Sequence, residues 1–284
     1  MSYTLGVLGG SGLYEMEGLR DVTEIEVDTP FGKPSDVLVK GTLENGTTLL
    51  FLPRHGRGHR VPPHQINYRA NVYALRKSGA THLVSVSAVG SMKEEIVPGH
   101  LVVPDQFIDL TKKRITTFFE DGVAGHVPFA DPVCGLVAKA LGDAAERAGA
   151  RVHRGGTYVC MEGPQFSTRA ESRLYRTWGV SVIGMTSMPE AKLAREAELP
   201  FATLALATDY DCWHDAHDDV TVEAVVATMK KNVSVAKKTL VELSGALPDP
   251  AKSIAHGASR GAVMTAPNAI DAAARARLGW LLDR

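Results

Sequence analysis

Phe201-Ala202-Thr203-Leu204-Ala205-Leu206-Ala207 runs apolar for the length of one strand, and the chain then turns polar in Thr208-Asp209-Tyr210-Asp211-Cys212-Trp213. A short apolar run bounded by polar residues predicts a buried strand, and the apolar spacing over about 222–243 predicts a long helix after it. Upstream the alternation repeats, with strands predicted at 157–161 and 180–184 and helices at 134–148, 169–178 and 189–197. Residues 3–8 read as a short strand ending in Gly9-Gly10-Ser11-Gly12, and 82–87 as another ending in Ala88-Val89-Gly90-Ser91. Between them, strands are predicted at 23–27, 36–43 and 47–53, the last two joined through Asn45-Gly46, a hairpin signal, with a helix at 64–78 ending near Gly79. Strands alternating with helices predict an α/β fold, its largely parallel or mixed sheet flanked by helices. No repeat or long linker divides the 284 residues, so 1–284 reads as a single domain, with 244–284 as a C-terminal helical arm ending in a helix at about 268–282.

The chain is 44% hydrophobic and 22% charged, an ordinary balance for a folded protein. With 31 Lys and Arg against 32 Asp and Glu there is no global field to draw in nucleic acid or an anionic membrane, and neither is an expected partner. The start lacks a basic n-region, and no apolar run reaches the roughly 18 residues of a membrane span, which predicts a cytoplasmic protein. Cys134, Cys160 and Cys212 are too widely spaced for a zinc site or a disulfide framework; reduced thiols are expected, Cys212 as a buried structural one.

Ligands collect at the carboxyl ends of strands in open α/β sheets, and unusual polar groups fall at such ends here: Ser11, Arg54, His55, Ser87, Thr186, Asp209 and Asp211. Gly9-Gly10-Ser11-Gly12 suits either an anion cradle or a plain turn, and it fits neither the Walker pattern nor the dinucleotide fingerprint. Arg54-His55-Gly56-Arg57-Gly58-His59-Arg60 is dense in cations: Arg offers a planar fork to phosphate and His a donor from either ring nitrogen, while a solvated basic loop is the plainer reading. Glycines between His55 and His59 argue against paired metal ligands, so no metal is expected. In an extended segment Asp209 and Asp211 would point to one side, as a ligand-binding pair, an incomplete metal site or a helix cap.

Taken together, these segments resemble the trimeric purine nucleoside phosphorylase family, in its methylthioadenosine-cleaving branch, over residues 6–243. The likeness rests on Gly9-Gly10-Ser11-Gly12-Leu13, Arg54-His55-Gly56-Arg57-Gly58-His59, residues 67–75, Ser91-Met92-Lys93-Glu94-Glu95-Ile96 and Asp105-Gln106-Phe107-Ile108-Asp109. It continues through Glu162-Gly163-Pro164-Gln165-Phe166-Ser167, Met185-Thr186-Ser187-Met188-Pro189-Glu190 and Ala207-Thr208-Asp209-Tyr210-Asp211-Cys212-Trp213. Chance agreement over so many long motifs is negligible.

The resemblance implies a nucleoside phosphorylase fold and a pentosyltransferase that splits methylthioadenosine with phosphate into adenine and methylthioribose 1-phosphate, phosphate being a co-substrate and no cofactor being needed. It places phosphate among Ser11, Arg54, His55, Ser87, Ala88 and Thr186, with Ser11 and Ser87 standing where family members often carry Thr. Met185 falls against the ribose; Asp209, Tyr210 and Asp211 at the purine; and Phe166 and Ser167 at the edge of its pocket. Catalytic roles go to Asp209, Asp211 and His55. Val222, Val225 and Val226 match the wall of the 5′ pocket, although helical spacing explains them equally as core, and His126 matches a residue supplied by a neighbouring subunit of a homotrimer or a dimer of trimers. The rival activities are a 6-oxopurine or broad-specificity phosphorylase, a hydrolase, and a nucleoside-binding sensor without catalysis. The aspartate pair favours adenine, because a carboxylate accepts from a 6-amino group and repels a 6-oxo oxygen.

Overall fold

The computed structural model describes residues 3–10, 12–13, 16, 18–214 and 222–283, with the backbone alone at 222–227 and 229. The strands are β1 (Thr4–Gly9), β2 (Arg20–Ile25), β3 (Leu38–Thr42), β4 (Thr48–Pro53), β5 (His82–Ser91), β6 (Leu101–Val103), β7 (Gln106–Asp109), β8 (Val152–Arg154), β9 (Thr157–Cys160), β10 (Val182–Gly184) and β11 (Phe201–Asp209). The helices are α1 (Tyr68–Lys77), α2 (Gly135–Arg147), α3 (Arg169–Thr177), α4 (Ser187–Glu196), α5 (Val222–Ser244) and α6 (Ala272–Leu282). One mixed sheet runs β2-β3-β4-β1-β5-β10-β9-β7, with β11, β6 and β8 branching from β5.

Alternation along the strands builds a core on each face of the sheet. Leu5, Val7, Phe51 and Leu204 face α2 and α5 through Val137, Leu141, Leu240 and Leu243. Leu8, Leu50, Leu52 and Ala205 face α1, α4 and α6 through Leu75, Leu193 and Leu278. A satellite cluster of Met92, Val159, Tyr175, Ile183, Tyr210 and Trp213 gathers beside α3. The β3–β4 hairpin turns at Asn45-Gly46 as predicted: Gly46 adopts φ 83°, which glycine takes without strain, and its N–H donates to the Leu43 carbonyl at 2.9 Å.

β5 organises the site. It pairs in parallel with β1 from His82 to Ser85 and in parallel with β11 from Leu83 to Gly90, and then Gly90 and Ser91 pair antiparallel with β10. Residues 86–89 therefore have no strand neighbour on the edge shared by β1 and β10 among the described residues. The sheet opens there.

Three differences from the sequence reading have physical causes. β5 continues four residues past the predicted end at 87, because β11 and β10 supply partners that the sequence does not reveal. The helix predicted from 64 begins at Tyr68, where the Asn67 side chain caps it by accepting from Ala70 N–H, and a single 3-10 turn precedes it. β6, β7 and β8 have only three or four residues each, too few to show a period. The arm beyond α5 folds back on its own subunit: His82 Nε2 lies 2.8 Å from the Pro248 carbonyl, and Trp280 packs edge-on against Tyr73 and Phe118.

Candidate active site

The opening beside β5 collects groups from several elements. Arg54, at the carboxyl end of β4, is 2% exposed, and its Nε and Nη2 donate to the two oxygens of the fully buried Glu190 on α4 at 2.7 and 3.1 Å. The same guanidinium donates to the Leu8 carbonyl, Ser85 Oγ and the Val86 carbonyl at 2.8, 2.8 and 2.7 Å. This corrects the expectation of a free fork. The fork is engaged by the protein, and only one Nη1 hydrogen is left to face an anion. Because the Val86 carbonyl faces Arg54, the N–H of Ala88, two residues on, points from the same edge.

Ser87 brings its hydroxyl to 2.9 Å from that of Thr186, which stands at the N-terminus of α4 without capping it. The next residue of the basic loop is also fixed. His55 Nδ1 lies 2.8 Å from the Val61 carbonyl and so carries a hydrogen, which leaves Nε2 as an acceptor in the neutral ring. Burial, reinforced by the Arg54 charge, lowers its pKa to about 4, so the ring is neutral at physiological pH. Donation from either nitrogen is thereby overturned: one is committed, and the other accepts. His59 stacks on the His55 ring at 4.2 Å between centroids.

The carboxylates sit at the other end of the opening. Asp209 ends β11 just past an irregularity in its pairing with β5, and its Oδ1 accepts the Asp211 N–H at 2.8 Å while Oδ2 accepts the Thr208 hydroxyl at 2.7 Å. Asp211 has φ 53°, so the segment is a turn, not the extended strand assumed from alternation. A side-chain hydrogen bond from the first residue to the backbone of the third brings the pair together. Burial raises the pKa of both, opposed at Asp209 by the Thr208 hydroxyl and at Asp211 by Ser172, Cys212 and Ser167. Gly90 makes room, since a Cβ there would lie 2.9 Å from Asp209 Oδ1 and 3.3 Å from Asp211 Cβ.

Tyr210 faces away from this pair. Its ring belongs to the satellite cluster and its hydroxyl donates to the Glu94 carbonyl at 3.2 Å, so it anchors the turn and does not line the opening. Trp213 does the same by donating to the Ser91 carbonyl at 2.8 Å. Cys212 is half-buried rather than buried, with Sγ 3.4 Å from the Ser167 carbonyl, and burial pushes its thiol up, away from the thiolate. Ser167 therefore lies beside the aspartate pair, while Phe166 stays 49% exposed. The Met185 side chain lies over Gly163, where a Cβ would meet its sulfur at 2.6 Å. His126 is exposed, its N–H bonded to the Ala262 carbonyl of the arm at 2.8 Å. Ser11 and the side chains of Val222, Val225 and Val226 lie outside the described residues.

One organising residue carried no signal in the sequence. The side chain of Arg114 is 1% exposed and donates through Nη1 to the carbonyls of Met185 and Met188, both at 2.7 Å, through Nη2 to the Glu162 carbonyl at 2.7 Å, and through Nε to the Glu162 carboxylate at 2.8 Å. It fastens the turn that carries Met185 and Thr186. No group of three or more metal-ligating side chains occurs among the described residues, and none of their helices is long and apolar enough to cross a membrane.

A family model described as the phosphorylase superfamily matches residues 4–244. The S-methyl-5′-thioadenosine phosphorylase of Geobacter sulfurreducens is 57% identical over 283 residues, covering 99% of both chains. That of Koribacter versatilis is 50% identical over 284 residues, covering 100% of this chain and 97% of the relative. Among solved structures, a methylthioadenosine phosphorylase sourced from an Antarctic soil metagenomic library matches with a TM-score of 0.92 and 47% identity over 99% of each chain. Methylthioadenosine phosphorylase from Schistosoma mansoni in complex with adenine matches with a TM-score of 0.85 and 35% identity, over 92% of this chain and 99% of that one.

Proposed function

The chain belongs to the phosphorylase superfamily, and from that premise we propose that its β5 opening cleaves S-methyl-5′-thioadenosine with inorganic phosphate, releasing adenine and 5-methylthioribose 1-phosphate. The observation that carries the reading is the layout of one strand: Ser87 faces the Thr186 hydroxyl, the Ala88 N–H points from the edge that Arg54 occupies, and Gly90 lies against the carboxyl pair. Three residues of strand span roughly 10 Å, the reach of a ribose with a phosphate on one side and a base on the other.

Phosphate attacks a ribosyl carbon only as that carbon becomes oxocarbenium-like and the base leaves protonated. In this reading Ser11, Ser87, Thr186, the Ala88 N–H and the remaining Arg54 hydrogen hold the anion. The buried Arg54–Glu190 pair is neutral as a unit and His55 is neutral, so hydroxyl and N–H dipoles do most of the holding. His55 Nε2 accepts the P–OH hydrogen of monohydrogen phosphate. Asp209, whose acid form burial favours, delivers or stabilises the proton at purine N7, and Asp211 accepts from the 6-amino group. Attack opposite the base inverts C1′. Phosphate is a co-substrate, and no other cofactor enters the reading.

Met185 covers the ribose and Phe166 and Ser167 bound the base, while Val222, Val225 and Val226 wall the 5′ pocket. His126 is exposed on this subunit, as a side chain entering a neighbour's site has to be. The working unit is therefore a homotrimer or a dimer of trimers, in the cytoplasm. Methylthioadenosine, adenosine, methylthioinosine and inosine, each assayed with and without phosphate, test the reading. Cleavage of methylthioadenosine that needs phosphate and exceeds that of methylthioinosine supports it; equal cleavage without phosphate overturns it in favour of a hydrolase.

A further inference from the structure

We propose that the phenol of Tyr158, on β9, is a positioning residue of the phosphate site: it donates to Ser87 Oγ and so turns the Ser87 hydrogen toward the anion. Tyr158 is wholly buried, with its oxygen 3.3 Å from Ser87 Oγ, which is itself 2.9 Å from Thr186 Oγ1. The inference rests on the phosphorolysis reading.

The phenol reaches this place because β10 carries glycine beside it. Tyr158 pairs with Val182, and its ring extends along β10 to Gly184, where a Cβ would lie 2.0 Å from the phenol oxygen. No other residue type at 184 leaves room for that oxygen. Two unconnected choices, tyrosine on β9 and glycine on β10, thus place one buried hydroxyl against the serine of β5.

Counting hydrogens gives the direction. Burial pushes the phenol up to about 12, so it keeps its hydrogen at any working pH, and the Ser187 hydroxyl and the Thr186 backbone also approach its oxygen. Ser87 and Thr186 have one hydrogen each. Left as a pair, one hydroxyl donates to the other and a single hydrogen faces the anion. With Tyr158 and Thr186 both donating to Ser87 Oγ, the two serine lone pairs are filled and its own hydrogen is the one turned to the anion. The Ala88 carbonyl, 3.2 Å from Ser87 Oγ, is the competing acceptor from which the relay draws the serine away.

Tyr158→Phe removes the hydroxyl and keeps the ring. One neutral hydrogen bond of roughly 1 kcal/mol predicts a KM for phosphate about fivefold higher, with KM for methylthioadenosine and the melting temperature little changed. In a Ser87→Ala background the same substitution should do nothing further to phosphate KM. Tyr158→Met, which also fills the space without a hydroxyl, serves if the phenylalanine variant folds poorly. An unchanged phosphate KM, or effects of the two substitutions that multiply, overturns the relay. If the wild type itself shows no phosphate-dependent cleavage, the reading beneath has failed instead.

Discussion

Asp211 occupies its place through a left-handed backbone angle and an N–H held by Asp209, two features that residue type alone does not display. The sequence showed two acids at a strand's end and, through resemblance, their ligand; the turn that converges them needs φ and ψ. A charged acceptor facing a 6-amino group contributes about 1.5–3 kcal/mol. Asp211→Asn should therefore lower kcat/KM for methylthioadenosine about 10- to 100-fold relative to methylthioinosine; an unchanged ratio removes Asp211 from base recognition. His55 was legible as a residue but not as a tautomer, because the Val61 carbonyl that fixes it comes from the loop's own path. Its pKa of about 4 lies below the ordinary 6.5, so between those values the unfolded chain binds a proton that the folded one refuses, and stability falls as pH drops through that window. Relative to His55→Asn, the wild type should lose up to about 3 kcal/mol from pH 6.5 to 4, read from denaturant midpoints across the range.

At the scale of elements, the long apolar strands and amphipathic helices were legible because five or more residues display a period. The opening in β5 was not, since it exists only through where β1 stops and β10 starts. Arg114 shows the same limit: it stands in the cationic run Lys112-Lys113-Arg114, yet its side chain is buried among the carbonyls of Glu162, just past β9, and of the β10–α4 turn. Losing those donors leaves buried carbonyls without partners, which costs about 1–3 kcal/mol for each group so stranded. Arg114→Met should lower the melting temperature by roughly 5 °C or more, a few degrees per kcal/mol for a chain of this size, and raise phosphate KM as Thr186 loosens. Arg114→Lys, lacking the planar fork, should recover part of the stability and little of the activity. A methionine variant with wild-type kinetics would show that the turn holds without its clamp.

Across the whole molecule, the arm after α5 is bound to the body at Glu196, a contact that joins segments far apart in the chain and that no local pattern announces. The Glu196 carboxyl accepts from the Thr117 hydroxyl at 2.7 Å and the Phe118 N–H at 2.6 Å, and its backbone carbonyl accepts from the arm's Ser259 hydroxyl at 2.7 Å. Burial lifts its pKa to about 7 from an ordinary 4.5, more than the two donors restore. Between those values the folded protein binds a proton that the unfolded chain has released, so this carboxyl makes stability fall as pH rises from 4.5 to 7. That slope opposes the one from His55, and the two together flatten the stability of the intact protein over weakly acid pH. Gln keeps an oxygen for the Phe118 N–H and cannot ionise. Glu196→Gln should match the wild type below pH 4.5 and become more stable by up to about 3 kcal/mol above pH 7, measured as the difference between paired denaturation midpoints. A difference that stays constant with pH would mean that Glu196 releases its proton at the same pH folded and unfolded, and the opposition between the two buried groups would then be absent.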